Sequence, residues 1–208
     1  MSERKMKRVE DSLTEQSHLL MPKCLNAAGY LFGGQLLAWI DETAGIVAKR
    51  HAEMNVVTVA VDNMYFKAGA KVNDTIVLIG RLTHVGRSSM EVRIDTYCEA
   101  LDGTRTMINR AYFTMVGTDE QQHPVEVPGL IIEGVTQQIE NEAAQKRAKL
   151  WKVRRHEDFN RIKQVAAADC EYLIDPDQPG CQNRLWIIKL VKKLVWNRIS
   201  GRYGSRNI

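Results

Sequence analysis

Residues 26–45 read N-A-A-G-Y-L-F-G-G-Q-L-L-A-W-I-D-E-T-A-G. From Gln35 to His51 the apolar residues Leu37, Ile40, Ala44 and Val47 recur at helical intervals, and Gln35, Glu42 and Lys49 take the opposite side, which predicts one hydrophobic helix. Gly33 and Gly34 stand just before it. A glycine pair at that point lets backbone pass close to a ligand where free N–H groups and the helix dipole face outward, and such a position can hold a carbonyl oxygen as it becomes negative. Close packing or a plain turn accounts for the same pair. Asp41 follows two turns on, with Ala38, Gly45 and Ala48, all small, on its side of a half-buried helix. It is either a base with room beside it for substrate or water, or a rim carboxylate paired with Lys or Arg from a sheet. Asn26 is either a polar group of the same site or the head of an Asx turn.

Four extended segments follow the helix. Val56–Phe66 and Thr75–Thr83 are rich in β-branched residues, and Ser89–Glu99 alternates Met90, Val92, Ile94, Thr96 and Cys98 against Glu91, Arg93, Asp95, Tyr97 and Glu99. That alternation predicts an antiparallel strand buried on one face. Arg105–Val116 follows the hairpin signal Leu-Asp-Gly-Thr at 101–104, and Asn73-Asp74 and Gly86-Arg87 suit short turns. An earlier strand is expected near Thr14–Met21. One helix and a strand meander make an α+β plan in which the sheet covers the helix. The polar stretch from Thr136 to about Gln164, acidic early and basic late, predicts a second helix, and the opening dozen residues are expected to fray.

The 208 residues carry a net charge of +4, but residues 1–144 sum to −5 and residues 145–208 to +9. The larger part of the chain therefore offers no electrostatic footprint for nucleic acid. Leu185–Ile199, apolar with Lys189, Lys192, Lys193 and Arg198, reads as a membrane-surface helix, a helix packed on a neighbouring subunit, or a dispensable extension. Cys24, Cys98, Cys170 and Cys181 lie far apart with no metal-ligand spacing, so neither a disulfide framework nor a structural metal is expected. The polar start has no signal-peptide character, and no stretch is apolar enough to span a bilayer, which makes the cytoplasm the expected compartment.

The stretch N-x-x-G-x-x-F-G-G-x-L-L-x-W-I-D-E-x-A-G resembles the hot-dog-fold acyl-CoA thioesterases of the acyl-CoA hydrolase family. So do V-V-T-V-A-V-D-N-M-Y-F at 56–66, V-G-R-S-S-M-E-V at 85–92, A-Y-F-T-M-V at 111–116 and H-P-V-E-V-P-G-L at 123–130. Together they cover roughly residues 12–165. The resemblance implies a hot-dog domain over 12–130 and a helical extension over 131–165, and leaves outside it a basic tail over 166–208 of uncertain role.

The same resemblance implies hydrolysis of acyl-CoA to free acid and coenzyme A. It matches Asn26 to the family's active-site asparagine and Asp41 to its helix carboxylate, contributed by opposite subunits of a homodimer, with trimers of dimers common. On the reading of the residues given above, backbone N–H groups near Gly34 and the helix start are expected to receive the thioester carbonyl oxygen. Gly86, Arg87, Ser88 and Ser89 match the turn that approaches the nucleotide end of coenzyme A, where Arg and hydroxyl donors suit phosphate oxygens. No metal and no cofactor is expected, coenzyme A being part of the substrate. Many relatives carry His where Cys24 stands. A second function class is a non-catalytic acyl-CoA or nucleotide sensor, which would have no use for a base. A dehydratase of the same fold would call for a His between Asn26 and Asp41, and none lies there.

Overall fold

The computed structural model describes residues 4–62 and 64–172, without the side chains of residues 155, 156, 159 and 162–172. Helix α1, Gly33–Ala52, buries Leu36, Ile40, Ala44, Val47 and Ala48. The buried stripe starts at Leu36, and Leu37 stays 38% exposed. The glycine pair forms the first helical turn instead of preceding it. Extended Phe32 is the N-cap, and its carbonyl accepts the Leu36 N–H at 3.1 Å. At the far end Glu53 adopts the left-handed conformation (φ 57°) and returns its N–H to the Lys49 carbonyl at 2.8 Å.

The strands are β1 (Met6–Arg8), β2 (Thr14–Leu19), β3 (Asn55–Val61), β4 (Tyr65–Phe66), β5 (Thr75–Val85), β6 (Ser89–Glu99), β7 (Arg105–Thr118) and β8 (Gly129–Ile131). The main sheet runs β2-β5-β6-β7-β3, with β4 also on β7, and every pairing in it is antiparallel. It curls around α1, burying Ile76, Leu78, Met90, Val92, Ile94 and Phe113 in one core with the helix. Gly80 sets the spacing of these layers. A Cβ there would fall 2.7 Å from Ile94 Cδ1 and 2.8 Å from Val47 Cγ2, so a side chain would push α1 off the sheet.

Several expectations need correction. The segment Val56–Phe66 is not one strand: β3 ends at Val61, and its register with β7 shifts between Thr58 and Ala60. Such a bulge re-aims side chains. Strand β6 buries Arg93 and Asp95 on its outer face as well as its apolar row. Helix α2, Gly134–Tyr172, begins two residues before the expected stretch and ends beyond it, and its early residues cover that outer face. Arg93 bridges Asp95 and Glu140, Arg110 joins Asp95, and Asn141 donates to the Thr83 carbonyl at 2.9 Å. Burial alone would raise the Asp95 carboxyl, but hydrogen bonds from Arg93 and Arg110, and their charges, hold it below the usual carboxylate range.

The opening residues are not frayed from Arg4 onward. Strand β1 pairs in parallel with β8, and Lys7 Nζ donates to the Arg50 carbonyl in the last turn of α1 at 2.5 Å. Lys5 and Lys7 also pair with Glu53 at 2.6 and 3.2 Å. One compact unit ends at Gln145, inside α2, and the remainder of α2 from Lys146 belongs to a second. The amphipathic stretch Leu185–Ile199, Cys181 and most of the basic tail lie outside the described residues. No helix among the described residues is long and apolar enough to cross a membrane.

Candidate active site

Asn26 heads a tight loop between Leu25 and Leu31, which themselves form an isolated bridge. Its Oδ1 accepts the N–H groups of Ala28 (2.9 Å) and Tyr30 (3.2 Å), and its own N–H donates to the Tyr30 carbonyl at 2.7 Å. The Asx-turn reading is therefore right for the oxygen. What the exposed side chain offers outward is its NH2, a donor suited to a carbonyl or a water oxygen. Fixing Oδ1 also fixes where that NH2 points.

At the start of α1 a Cβ on Gly34 would lie 2.5 Å from Phe32 Cε1, so a side chain there would require the half-exposed Phe32 ring to swing aside. Phe32 has no polar group to cap the first turn, and its side chain makes no capping bond. The N–H groups of that turn therefore depend on something other than an N-cap side chain. Phe66 Cζ of β4 stands 3.6 Å from the Cβ position of Gly33, in ordinary contact with the helix start.

Asp41 is exposed in the single chain, not set in a half-buried face. Among the described residues it pairs with no Lys or Arg; its Oδ1 accepts one hydrogen bond, from Thr58 Oγ1 at 2.8 Å. Thr58 sits at the bulge of β3 and also lies 3.5 Å from Met115 Sδ. The bond fixes one carboxylate oxygen and leaves the other open. Beside Thr58 on the strand at the end of the sheet, Val57, Val59 and Val61 are 39%, 45% and 45% exposed, an uncovered apolar row. Asn26 and Asp41 share no hydrogen bond within the chain.

The hairpin turn 86–89 has its carbonyls tied down. The Gly86 oxygen accepts from Arg4 Nη2 (2.6 Å), Arg87 from the Val127 N–H (3.0 Å), Ser88 from the Gly117 N–H (2.9 Å) and Ser89 from the Gly86 N–H (2.7 Å). The Arg87 side chain is exposed.

Comparison with known proteins gives this arrangement a family. Residues 28–102 match the model of the Thioesterase superfamily. An uncharacterized acyl-CoA thioester hydrolase of Zymomonas mobilis is 40% identical over 111 residues, covering 53% of this chain and 74% of that protein. The chain belongs to the acyl-CoA thioester hydrolases of the thioesterase superfamily. Other members of the family are longer: the cytosolic acyl coenzyme A thioester hydrolase of Rattus norvegicus is 33% identical over 119 residues, and the match spans 56% of this chain but 31% of that enzyme. An apo-hexameric acyl-CoA thioesterase superposes with a TM-score of 0.69 at 38% identity, covering 72% of this chain and 97% of the other. The acyl-CoA hydrolase of Staphylococcus aureus, solved with butyryl coenzyme A and coenzyme A, gives 0.73 at 30% identity, covering 77% and 99%.

Thr58 is the residue that sequence reasoning missed. In Val56–Val61 it is the one hydroxyl of an otherwise apolar strand, and that contrast was the available signal. The same staphylococcal member of the family has been solved with an asparagine, an aspartate and a threonine each replaced by alanine, three positions spaced by 15 and 17 residues. Asn26, Asp41 and Thr58 follow one another at the same intervals.

Proposed function

We propose that this chain hydrolyses acyl-CoA thioesters to the free carboxylic acid and coenzyme A, with Asp41 as the catalytic carboxylate. The observation that carries the reading is the Thr58–Asp41 hydrogen bond, which orients an otherwise open carboxylate two turns into α1. In the water route, the open oxygen of Asp41 takes a proton from water as the water oxygen attacks the thioester carbonyl carbon. The carbonyl oxygen, becoming negative, meets the N–H groups near Gly34 and the Asn26 amide. Collapse breaks the C–S bond, and the proton passes from Asp41 to the departing thiolate. In the covalent route, Asp41 itself attacks, forms a mixed anhydride with loss of thiolate, and is freed when water opens the anhydride. Single turnover in ¹⁸O water separates the two, because only the covalent route can leave label in the carboxylate. Protein groups and water suffice for either.

The anionic nucleotide end of the substrate is assigned to Gly86, Arg87, Ser88 and Ser89. The active unit is a homodimer in which Asn26 of one subunit faces Asp41 of the other. The open edge of β3, with Val57 and Val61 39% and 45% exposed, supports a partner there, and a hexameric relative supports further assembly. A cytoplasmic setting agrees with the cytosolic relative. The test is release of free thiol from short-, medium- and long-chain acyl-CoA, read with a thiol-reactive dye. Turnover with at least one chain length is expected. Binding of all of them without thiol release would make the protein a sensor instead.

A further inference from the structure

We infer that Arg4 is a positioning residue for recognition of the coenzyme A nucleotide, acting through the backbone of the 86–89 turn. The inference rests on the assignment of that turn proposed above. Arg4 uses both arms of its guanidinium: Nη2 donates to the Gly86 carbonyl at 2.6 Å and Nε to the Val127 carbonyl at 2.9 Å. It also lies 3.6 Å from Glu126. Because a peptide unit is planar and trans, the Gly86 oxygen and the Arg87 N–H point in opposite directions. Holding the first toward Arg4 aims the second away from it. The neighbouring unit is set in the same manner, since the Val127 N–H holds the Arg87 oxygen and so directs the Ser88 N–H.

Arg4 thus binds both segments, 86 and 127, whose relative position decides how two successive amides face an anion. A charged donor on the Gly86 oxygen also polarises that peptide and strengthens the Arg87 N–H as a donor to phosphate. Arg4 is itself held in place. The Lys5 carbonyl accepts the Gly129 N–H at 2.8 Å, β1 pairs with β8, and His51 Nε2 lies 2.9 Å from the Pro128 carbonyl. Lysine could not take over the role, because one ammonium on a single stem lacks the planar fork that bridges two carbonyls.

The experiment compares the same acyl group carried on coenzyme A and on N-acetylcysteamine, which has no nucleotide, in Arg4→Ala, Arg4→Lys and Arg87→Ala proteins. Arg4→Ala is expected to raise KM for the acyl-CoA about tenfold, as for the loss of roughly one charge-assisted hydrogen bond, with kcat within twofold. Its kcat/KM for the truncated thioester should stay within twofold of wild type. Arg4→Lys should remain close to Arg4→Ala. Equal losses on both substrates would make Arg4 merely structural, and no loss on either, or full rescue by Lys, would equally overturn the inference. Arg87→Ala tells this failure from failure of the underlying reading. If it selectively weakens acyl-CoA while Arg4→Ala does not, the turn assignment stands and the role of Arg4 falls. If it affects both substrates alike, the turn is not the nucleotide site and both fall.

Discussion

Asp95 and Asp41 are carboxylates of one small domain placed under opposite physical conditions. Asp95, 4% exposed on the outer face of β6, is surrounded by the guanidinium groups of Arg93, Arg110 and Arg81, two of which also pair with Glu140 of α2. Asp41, on the side of α1 nearest β3, is exposed and holds a single neutral hydroxyl. A charge buried among several partners fixes structure, because removing one partner strands the others in a poorly solvated place. A charge held by one bond, with its second oxygen open, is oriented without being satisfied, which is what a base or nucleophile requires.

The sharpest way to break this comparison is to neutralise each carboxylate. Asp41→Asn is expected to lower kcat/KM by about 10² to 10⁴, with stability within about 0.5 kcal/mol of wild type, as for an exposed position. Asp95→Ala should do the reverse. It should cost about 3–5 kcal/mol in urea unfolding while the folded fraction turns over near the wild-type rate at low temperature. Ordinary turnover in Asp41→Asn, or an unchanged urea midpoint in Asp95→Ala, would dissolve the contrast. Thr58→Ala should be the next largest effect, a loss of roughly 10- to 100-fold in kcat, corresponding to one hydrogen bond to a charged group of about 1.5–3 kcal/mol. Thr58→Ser should recover most of it.

The smallest effects appear on acidification. Burial lowers His51 below its ordinary value, with the Pro128 carbonyl and Asp11 working against this and the charges of Lys7 and Arg4 adding to it. The neutral ring is thus the form the fold prefers. Its contribution is complete above about pH 6.5, the value in an unfolded chain, and is lost as pH falls toward the lowered folded value. Asp95, also depressed, contributes fully above about pH 4 and loses that contribution as pH falls through its own folded value. Urea midpoints between pH 7 and 3 should therefore fall in two stages. His18, which burial also lowers, contributes to the first stage, so His51→Gln should shrink that stage and leave the second unchanged.

Much of this was legible in the sequence because periodicity reports burial on one side of an element. Ser89–Glu99 is found with its expected bounds, and the helix over 35–51 gains only its two glycines and Ala52. What periodicity could not show was cover supplied from elsewhere in the chain. Arg93 and Asp95 read as solvent-facing until α2 lies over them. The first residues read as frayed because the partners of β1 are more than a hundred positions away. At the candidate site, Asn26, Asp41 and the 86–89 turn were named from motif and resemblance. Thr58 was not, since its meeting with Asp41 depends on a bulge, and no alternation rule encodes an extra residue.

The parallel pairing of β1 with β8 also has a consequence for biosynthesis. Arg4 and Val127 are 123 residues apart, so β1 is made long before the segment that it pairs with. At about 5–20 residues per second, β1 waits unpaired for several seconds while the helix and the strands of the sheet are still being made. A nascent chain halted before Val127 would hold nearly the whole core and still lack the fastening of the turn between β5 and β6.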